Sequence, residues 1–328
     1  MAGKIYDPNL LKQFKENDAD WYEVCPENFE IYGLIPENGG LLTRRIPVSV
    51  AKQVSECVLG ECGFGAGGRV RFSTNSPYVS IRCEYAEGNV PTVCNHCLCY
   101  GFDIYESDSF GKERFVGAYR PVNFAFNYKD VEFTAYTSND GKTGYYTINM
   151  PHFAEIKKMF IGIKNGSKIG KGKKYVNEKP VVFYGSSITH GAAAGRPGNT
   201  YESFISQKYN LNYTNLGFAG GAKGQTVMAE HIASLEMSAF VCDYDHNAPD
   251  AKHLEATHYP FYEIIRKKHP DIPYIMISRP DGNINSKFVE KSNERKNVII
   301  NSYQKAKDNG DENVYFIDGD TLFDGEFY

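Results

Sequence analysis

No stretch of this chain approaches the ~18 uninterrupted apolar residues that a membrane-spanning helix requires, so no span is expected. Positive charge is not in excess: 36 Lys and Arg stand against 40 Asp and Glu in 328 residues, a net charge of -4. That balance argues against a dedicated nucleic-acid or anionic-membrane partner. Residues Met1 to Asp7 hold no apolar signal core, and the chain is read as cytoplasmic, or as a mature form whose leader was removed. The eight cysteines are then expected as reduced thiols rather than as a disulfide framework. Cys94, His96, Cys97 and Cys99 suggest a zinc knuckle at first sight. A structural site needs a second ligand pair, and Cys57 and Cys62 are poorly spaced to supply it. No metal and no cofactor is expected, and these thiols are read as buried or strand-face groups.

What the chain has is an ordinary globular composition, 41% hydrophobic and 23% charged, over a length that suggests two domains. Aromatics are abundant, at 14%, with 24 Tyr and 21 Phe. Such side chains suit carbohydrate and other amphipathic ligands, and half-buried strands use them equally.

The two halves differ in periodicity. From about residue 20 to 162, short alternating runs sit between turn signals, as in Arg69 to Ser73, Val79 to Cys83, Phe102 to Tyr105 and Tyr145 to Met150. This pattern predicts an all-β sandwich of jelly-roll type over 1–165. A Gly/Lys-rich piece at 166–179 reads as a linker. Over 180–328, strand-like runs at 181–184, 212–216, 239–243, 273–278 and 313–317 alternate with helical stretches at 200–208, 225–235, 253–269 and 288–309. Alternation of this kind predicts a parallel sheet covered on both faces, a three-layer α/β/α domain.

Three constellations lie at expected strand tips of the second half. The apolar run Val181 to Tyr184 stops at Gly185-Ser186-Ser187, the place where open α/β sheets put their chemistry. Ser187 is the candidate nucleophile, with Ser186 as competitor; a helix N-cap is the alternative fate of either serine. After the second strand, the glycine-rich segment Asn215 to Gly224 exposes backbone N–H groups. The one at Gly220 is best placed to meet an oxyanion, though a phosphate loop or a plain tight turn has the same composition. A dinucleotide fingerprint would put its glycines after the first strand. At the third tip, Asp243 to Pro249 includes Asn247, whose carboxamide can donate to an oxyanion where a carboxylate cannot. A polar turn is the simpler reading. Asp243 and Asp245 are candidates for holding that loop. Arg279, in Ser278-Arg279-Pro280 at the fourth tip, either contacts substrate or braces a loop. His190 follows Ser187 closely but is expected to point along the next loop. His231, His258 and His269 are read as surface or satisfied structural histidines.

Gly185-Ser186-Ser187-Ile188, then Gly220, then Asn247, each at a successive strand tip, resemble the SGNH (GDSL-type) hydrolase superfamily, in the flavodoxin-like α/β/α fold of that superfamily. Gly101 to Tyr105 is similar to the Gly-x-Asp-Leu-Tyr signature of the N-terminal β domain on one branch of these esterases. Arg44-Arg45-Ile46-Pro47 is similar to that domain's Arg-Leu-Pro segment. The resemblance implies a serine esterase with Ser187 as nucleophile and an oxyanion hole of the Ser187 N–H, Gly220 and Asn247. Ser186, His190, Asp245 and Arg279 are the further residues expected to contact substrate or neighbouring loops. The implied substrate is a short acyl ester, acetyl foremost, on a small molecule or a glycan. Self-association into a homo-oligomer stays open.

The superfamily's Asp-x-x-His block, expected after the fifth strand, has no counterpart in Asp318 to Tyr328, nor does the helix that would follow and cover one face of the sheet. Two upstream pairs have that spacing, Asp243/His246 and Asp250/His253. The first overlaps the Asn247 loop and the second resembles a helix cap. A rival reading is therefore a catalytically impaired carbohydrate-binding or scaffold protein on a hydrolase fold. A nucleotide-binding α/β protein is a third reading, without the right glycine spacing.

Overall fold

The computed structural model describes residues 16–36, 42–119, 131–137, 139–280 and 289–322. The N-terminal half contains two antiparallel sheets. One has the order β1 (Ala19–Glu23), β9 (Ala154–Lys164), β4 (Tyr78–Gly88), β7 (Val131–Tyr136). The other runs β10 (Ile169–Lys171), β3 (Arg69–Thr74), β8 (Gly144–Asn149), β5 (Phe102–Ser107), β6 (Glu113–Tyr119), with β2 (Glu30–Tyr32) also paired to β3. Alternation puts Val70 and Phe72 of one sheet, and Val79, Ile81 and Cys83 of the other, into one buried core.

Two expectations need correction. The segment read as a linker, 166–179, contains a strand, since β10 pairs Ile169 with Thr74 and Lys171 with Phe72. The half read as all-β is strand-rich but also carries three short helices, α1 (Val48–Val54), α2 (Glu56–Glu61) and α3 (His96–Tyr100). Ser55 caps α2 by accepting the Val58 N–H at 3.2 Å. Ala51 and Val58 are buried not in the sandwich but in the core of the second half. α1 and α2 leave no local signal because the surface that stabilises them is supplied by residues far along the chain.

The second half is a five-stranded parallel sheet, β11 (Val181–Gly185), β12 (Tyr213–Gly217), β13 (Ala239–Asp243), β14 (Tyr274–Ile277) and β15 (Val314–Ile317), in the order β12-β11-β13-β14-β15. This 2-1-3-4-5 order is that of flavodoxin-like sheets, which bind ligands beyond the strands' carboxyl ends. The helices α4 (Ser187–His190), α5 (Tyr201–Tyr209), α6 (Thr226–Ala233), α7 (Ala251–Lys268) and α8 (Val289–Asp308) connect the strands. All five strands and the four longer helices fall within a few residues of the predicted positions. α6, α7 and α8 bury one sheet face, with Val182, Tyr184, Phe240, Tyr274 and Met276 beneath them. Tyr201 of α5 packs on the other face beside Phe183, Tyr213 and Val241. On that face Tyr315 and Ile317 of β15 remain 47% and 37% exposed.

The sandwich abuts the β12 edge. Arg69, almost wholly buried, donates to the Tyr213 carbonyl and to Asn212 Oδ1, both at 2.9 Å, and its guanidinium lies 3.7 Å from the Tyr213 ring centre. Asp103 of the Gly-x-Asp signature is a second joint. It accepts the Gly198 N–H at 2.8 Å and the Asn149 side-chain amide at 2.9 Å, with Arg196 3.3 Å away. Burial pushes this carboxyl up to about 7.

Among the described residues, no helix is long and apolar enough to cross a membrane.

Candidate active site

Gly185 stands in register with Gly217 of β12 and Asp243 of β13. Three loops therefore leave the sheet side by side. The strand tips are also bonded to one another: Phe218 N–H donates to the Gly185 carbonyl and Ser186 N–H to the Asp243 carbonyl, both at 3.0 Å. Helix α4 sits directly on β12. A Cβ at Gly217 would fall 2.1 Å from the His190 backbone nitrogen, so only glycine permits that approach.

The two serines have different roles. Ser186 is fully buried, and its Oγ accepts the Ile188 N–H at 3.2 Å, capping α4. Ser187 is the first residue of that helix and is half-buried. Among the described residues neither its Oγ nor its N–H makes a hydrogen bond.

The loop after β12 is held at nearly every backbone group. The Gly217 carbonyl accepts from Arg45 Nη1 at 2.6 Å, and the Phe218 carbonyl accepts from Asn247 Nδ2 at 2.9 Å. The Ala219 N–H donates to Glu61 Oε2 at 2.8 Å, and the Ala219 carbonyl accepts from the Cys57 thiol at 3.3 Å. Gly220 follows, exposed, at φ +78°, a backbone geometry that glycine adopts without strain. Its N–H has no partner among the described residues. Sequence reasoning missed Glu61 and Cys57, whose contacts span 158 and 162 residues; no local pattern marks them.

Asn247 is half-buried at the third tip, and its backbone N–H is bonded to the Tyr244 carbonyl at 3.0 Å. A primary amide carries two N–H bonds, so the one given to Phe218 leaves a second to donate. The loop is braced from α8, where Arg295 donates to the Asp245 carbonyl at 2.6 Å and to the Pro249 carbonyl at 3.0 Å; the sequence reading had no sign of this contact.

Of the two aspartates expected to hold the Asn247 loop, Asp245 does so. It is buried, and its Oδ2 accepts the Arg279 N–H at 3.0 Å, tying the third tip to the fourth. Burial lifts its carboxyl to about 6. Asp243 points elsewhere: its Oδ2 accepts from Thr189 Oγ1 at 3.2 Å, beneath α4. Burial, then the nearby Asp245, raises its carboxyl well above the usual range. Arg279 is half-buried, and its backbone joins it to the Asn247 loop.

The histidines depart from expectation. His190 is turned into the contact between the two halves, not along the next loop. It is stacked on Phe153 at 4.3 Å between ring centres, and Nε2 donates to the His152 carbonyl at 2.8 Å. Burial, then Arg45, lowers its basicity. Asp250 caps α7 by accepting the His253 backbone N–H at 2.7 Å, while the His253 ring meets the Lys223 carbonyl. His258 is not at the surface: it is buried, among the described residues its Nδ1 has no hydrogen-bond partner, and burial depresses it to about 4. His231 likewise has a buried Nε2 without a hydrogen-bond partner among the described residues, whereas His269 meets the Ala233 carbonyl at 3.0 Å. Among the described residues no histidine bonds to Ser187.

Comparison with known proteins agrees with this layout. Residues 178–326 match the GDSL-like Lipase/Acylhydrolase family. Residues 19–169 match the GxDLY family, described as the N-terminus of SGNH-hydrolase-type esterases. No curated protein matches the chain in sequence. Among solved structures, a protein described as a GDSL-like lipase from Bacteroides ovatus is similar over 94% of this chain and 89% of its own, with 25% identity and a TM-score of 0.82. The salicylyl-acyltransferase SsfX3 from a tetracycline biosynthetic pathway shares the fold over 93% of this chain and 86% of its own, at 18% identity and a TM-score of 0.72. An acetyl xylan esterase from the rumen bacterium Butyrivibrio proteoclasticus does so over 92% and 89%, at 12% identity and a TM-score of 0.55. The chain thus joins the GxDLY N-terminal domain of SGNH-type esterases to a GDSL-like lipase/acylhydrolase domain, and it is an ester hydrolase of that class.

Proposed function

We propose that the protein is a serine esterase that removes short acyl groups, acetyl foremost, from carbohydrate esters. Ser187 Oγ attacks the ester carbonyl carbon, and the carbonyl π electrons move onto oxygen. The Ser187 N–H, the Gly220 N–H and the free N–H of the Asn247 carboxamide bind that oxyanion. The proton lost from Ser187 Oγ on attack passes through solvent to the leaving alkoxide oxygen as the tetrahedral intermediate collapses and expels the alcohol. Water then attacks the acyl-serine, releasing the carboxylic acid and restoring the Ser187 hydroxyl.

The observation that carries this reading is the 2.9 Å bond from Asn247 Nδ2 to the Phe218 carbonyl. It ties the amide donor to the loop that leads to the Gly220 N–H, which has no partner among the described residues, and that loop leaves the sheet beside the strand tip that carries Ser187. The acetyl and carbohydrate part is supported by the fold shared with an acetyl xylan esterase and by the 14% aromatic content. One observation favours the impaired, glycan-binding reading instead: among the described residues no histidine bonds to Ser187. Turnover of p-nitrophenyl acetate, with and without Ser187→Ala, separates the two.

A further inference from the structure

The sandwich half does more than lie beside the hydrolase half, because its short helix α2 reaches the loop that carries the candidate oxyanion donor. Glu61, the last residue of α2, accepts the N–H of Ala219, the residue immediately before Gly220. Its own backbone carbonyl accepts from Arg45 Nη2 at 2.8 Å, while Arg45 Nη1 holds the Gly217 carbonyl. The Arg45 guanidinium also lies 4.5 Å from the Phe218 ring centre. The same carboxylate oxygen lies 3.3 Å from His190 Nδ1, at the far end of the Ser187 helix. That approach is a contact rather than a hydrogen bond. A neutral imidazole that donates through Nε2 to His152 has no proton on Nδ1, and among the described residues Nδ1 is without a hydrogen-bond partner. Glu61 thus has one directional bond, to Ala219, and packs against α4.

We propose that Glu61 is a positioning residue of the hydrolytic site, whose side-chain oxygen fixes the Phe218–Ala219 peptide, the unit immediately before the one that carries the Gly220 N–H, and so helps to aim that N–H at the oxyanion. The proposal rests on the assignment of Ser187, Gly220 and Asn247 above. Fixing the peptide matters because Gly220 has no Cβ to anchor it and nothing within 4 Å of where one would lie. The neighbouring backbone groups must therefore set the direction of its N–H. A donor that swings by a fraction of an ångström stabilises the transition state less, with little effect on ground-state binding.

The test is a Glu61 series in the full chain: Glu61→Gln, which keeps an oxygen at the same reach; Glu61→Asp, which keeps the charge but draws the oxygen back; and Glu61→Ala. Hydrolysis of p-nitrophenyl acetate is measured per folded molecule, with thermal melts in parallel. Glu61→Asp and Glu61→Ala are expected to lose about tenfold or more in kcat with KM within about twofold, and Glu61→Gln to stay within about threefold of the parent in kcat. If Glu61→Ala does not fold, the Asp and Gln pair decides by the same criterion. Melting temperatures that fall while kcat of the folded protein holds would reduce Glu61 to interface packing and overturn the proposal. So would a loss in Glu61→Gln equal to that in Glu61→Asp. Ser187→Ala, run alongside, keeps the two readings apart. Undiminished turnover there removes the site assignment itself, whereas a silent Glu61 series beside an inactive Ser187→Ala removes only the role of Glu61.

Discussion

Asn247 Nδ2 donates to the carbonyl of Phe218 at 2.9 Å, across 29 residues of chain. The bond gives the amide two functions, since one hydrogen ties the third strand tip to the second and the other is left for a ligand. Replacing Asn247 with Ala removes both. Loss of one oxyanion donor lowers kcat by roughly 10²- to 10³-fold in serine hydrolases, and the expected outcome for Asn247→Ala is a fall of at least about 10²-fold with KM little changed. Asn247→Asp should fare no better, because a carboxylate has no hydrogen to give and would face the Phe218 carbonyl with negative charge. Steady-state kinetics on p-nitrophenyl acetate checks both.

Ser186 and Ser187 are to be separated by opposite signatures. Ser186 Oγ is occupied as the cap of α4, so Ser186→Ala should cost about 1 kcal/mol of stability and leave most of the turnover. Ser187→Ala should abolish turnover and leave the melting temperature nearly unchanged. The reverse pattern would exchange the two assignments.

Much of this layout can be read from the amino-acid order. The apolar runs ending at Gly185 and Asp243 predict β11 and β13, because a strand buried on both faces writes a continuous apolar signal; β12, Tyr213-Thr214-Asn215-Leu216, lies at the sheet edge and is marked only by its aromatic and β-branched residues. Gly220 and Asn247 are found by following each run to its end. The choice between the adjacent serines cannot be read this way, because it depends on which hydroxyl the helix start consumes. Nor can α1 and α2, whose buried side chains Ala51 and Val58 pack against the distant sheet domain. Glu61 is invisible for the same reason, its partner Ala219 being 158 residues away. The direction of His190 is not legible either, because its surroundings, Phe153 and the His152 carbonyl, come from the sandwich half.

Glu202 gives a pH-dependent prediction. It is fully buried in α5, and among the described residues neither carboxylate oxygen has a hydrogen-bond partner. Burial raises its carboxyl from 4.5 to about 8. The folded protein therefore keeps this proton after the unfolded chain has released it. The stability linked to Glu202 is fully present below pH 4.5 and is lost as pH rises to about 8. Glu202→Gln removes this dependence while keeping the shape. Relative to the parent, the variant should gain stability steadily through that window and level off above it, by an amount on the order of a few kcal/mol. Urea melts at several pH values check the sign; a difference that does not vary with pH would contradict it.

The central claim is that Ser187 is a nucleophile facing the Gly220 N–H and the Asn247 carboxamide. Its most direct test is to expose the full chain to a fluorophosphonate, which phosphonylates an activated serine, and to map the modified residue by mass spectrometry in the parent and in Ser187→Ala. The account predicts one modified residue, Ser187, with labelling and p-nitrophenyl acetate turnover lost together in the variant. Labelling at another residue, or turnover that survives Ser187→Ala, would contradict it.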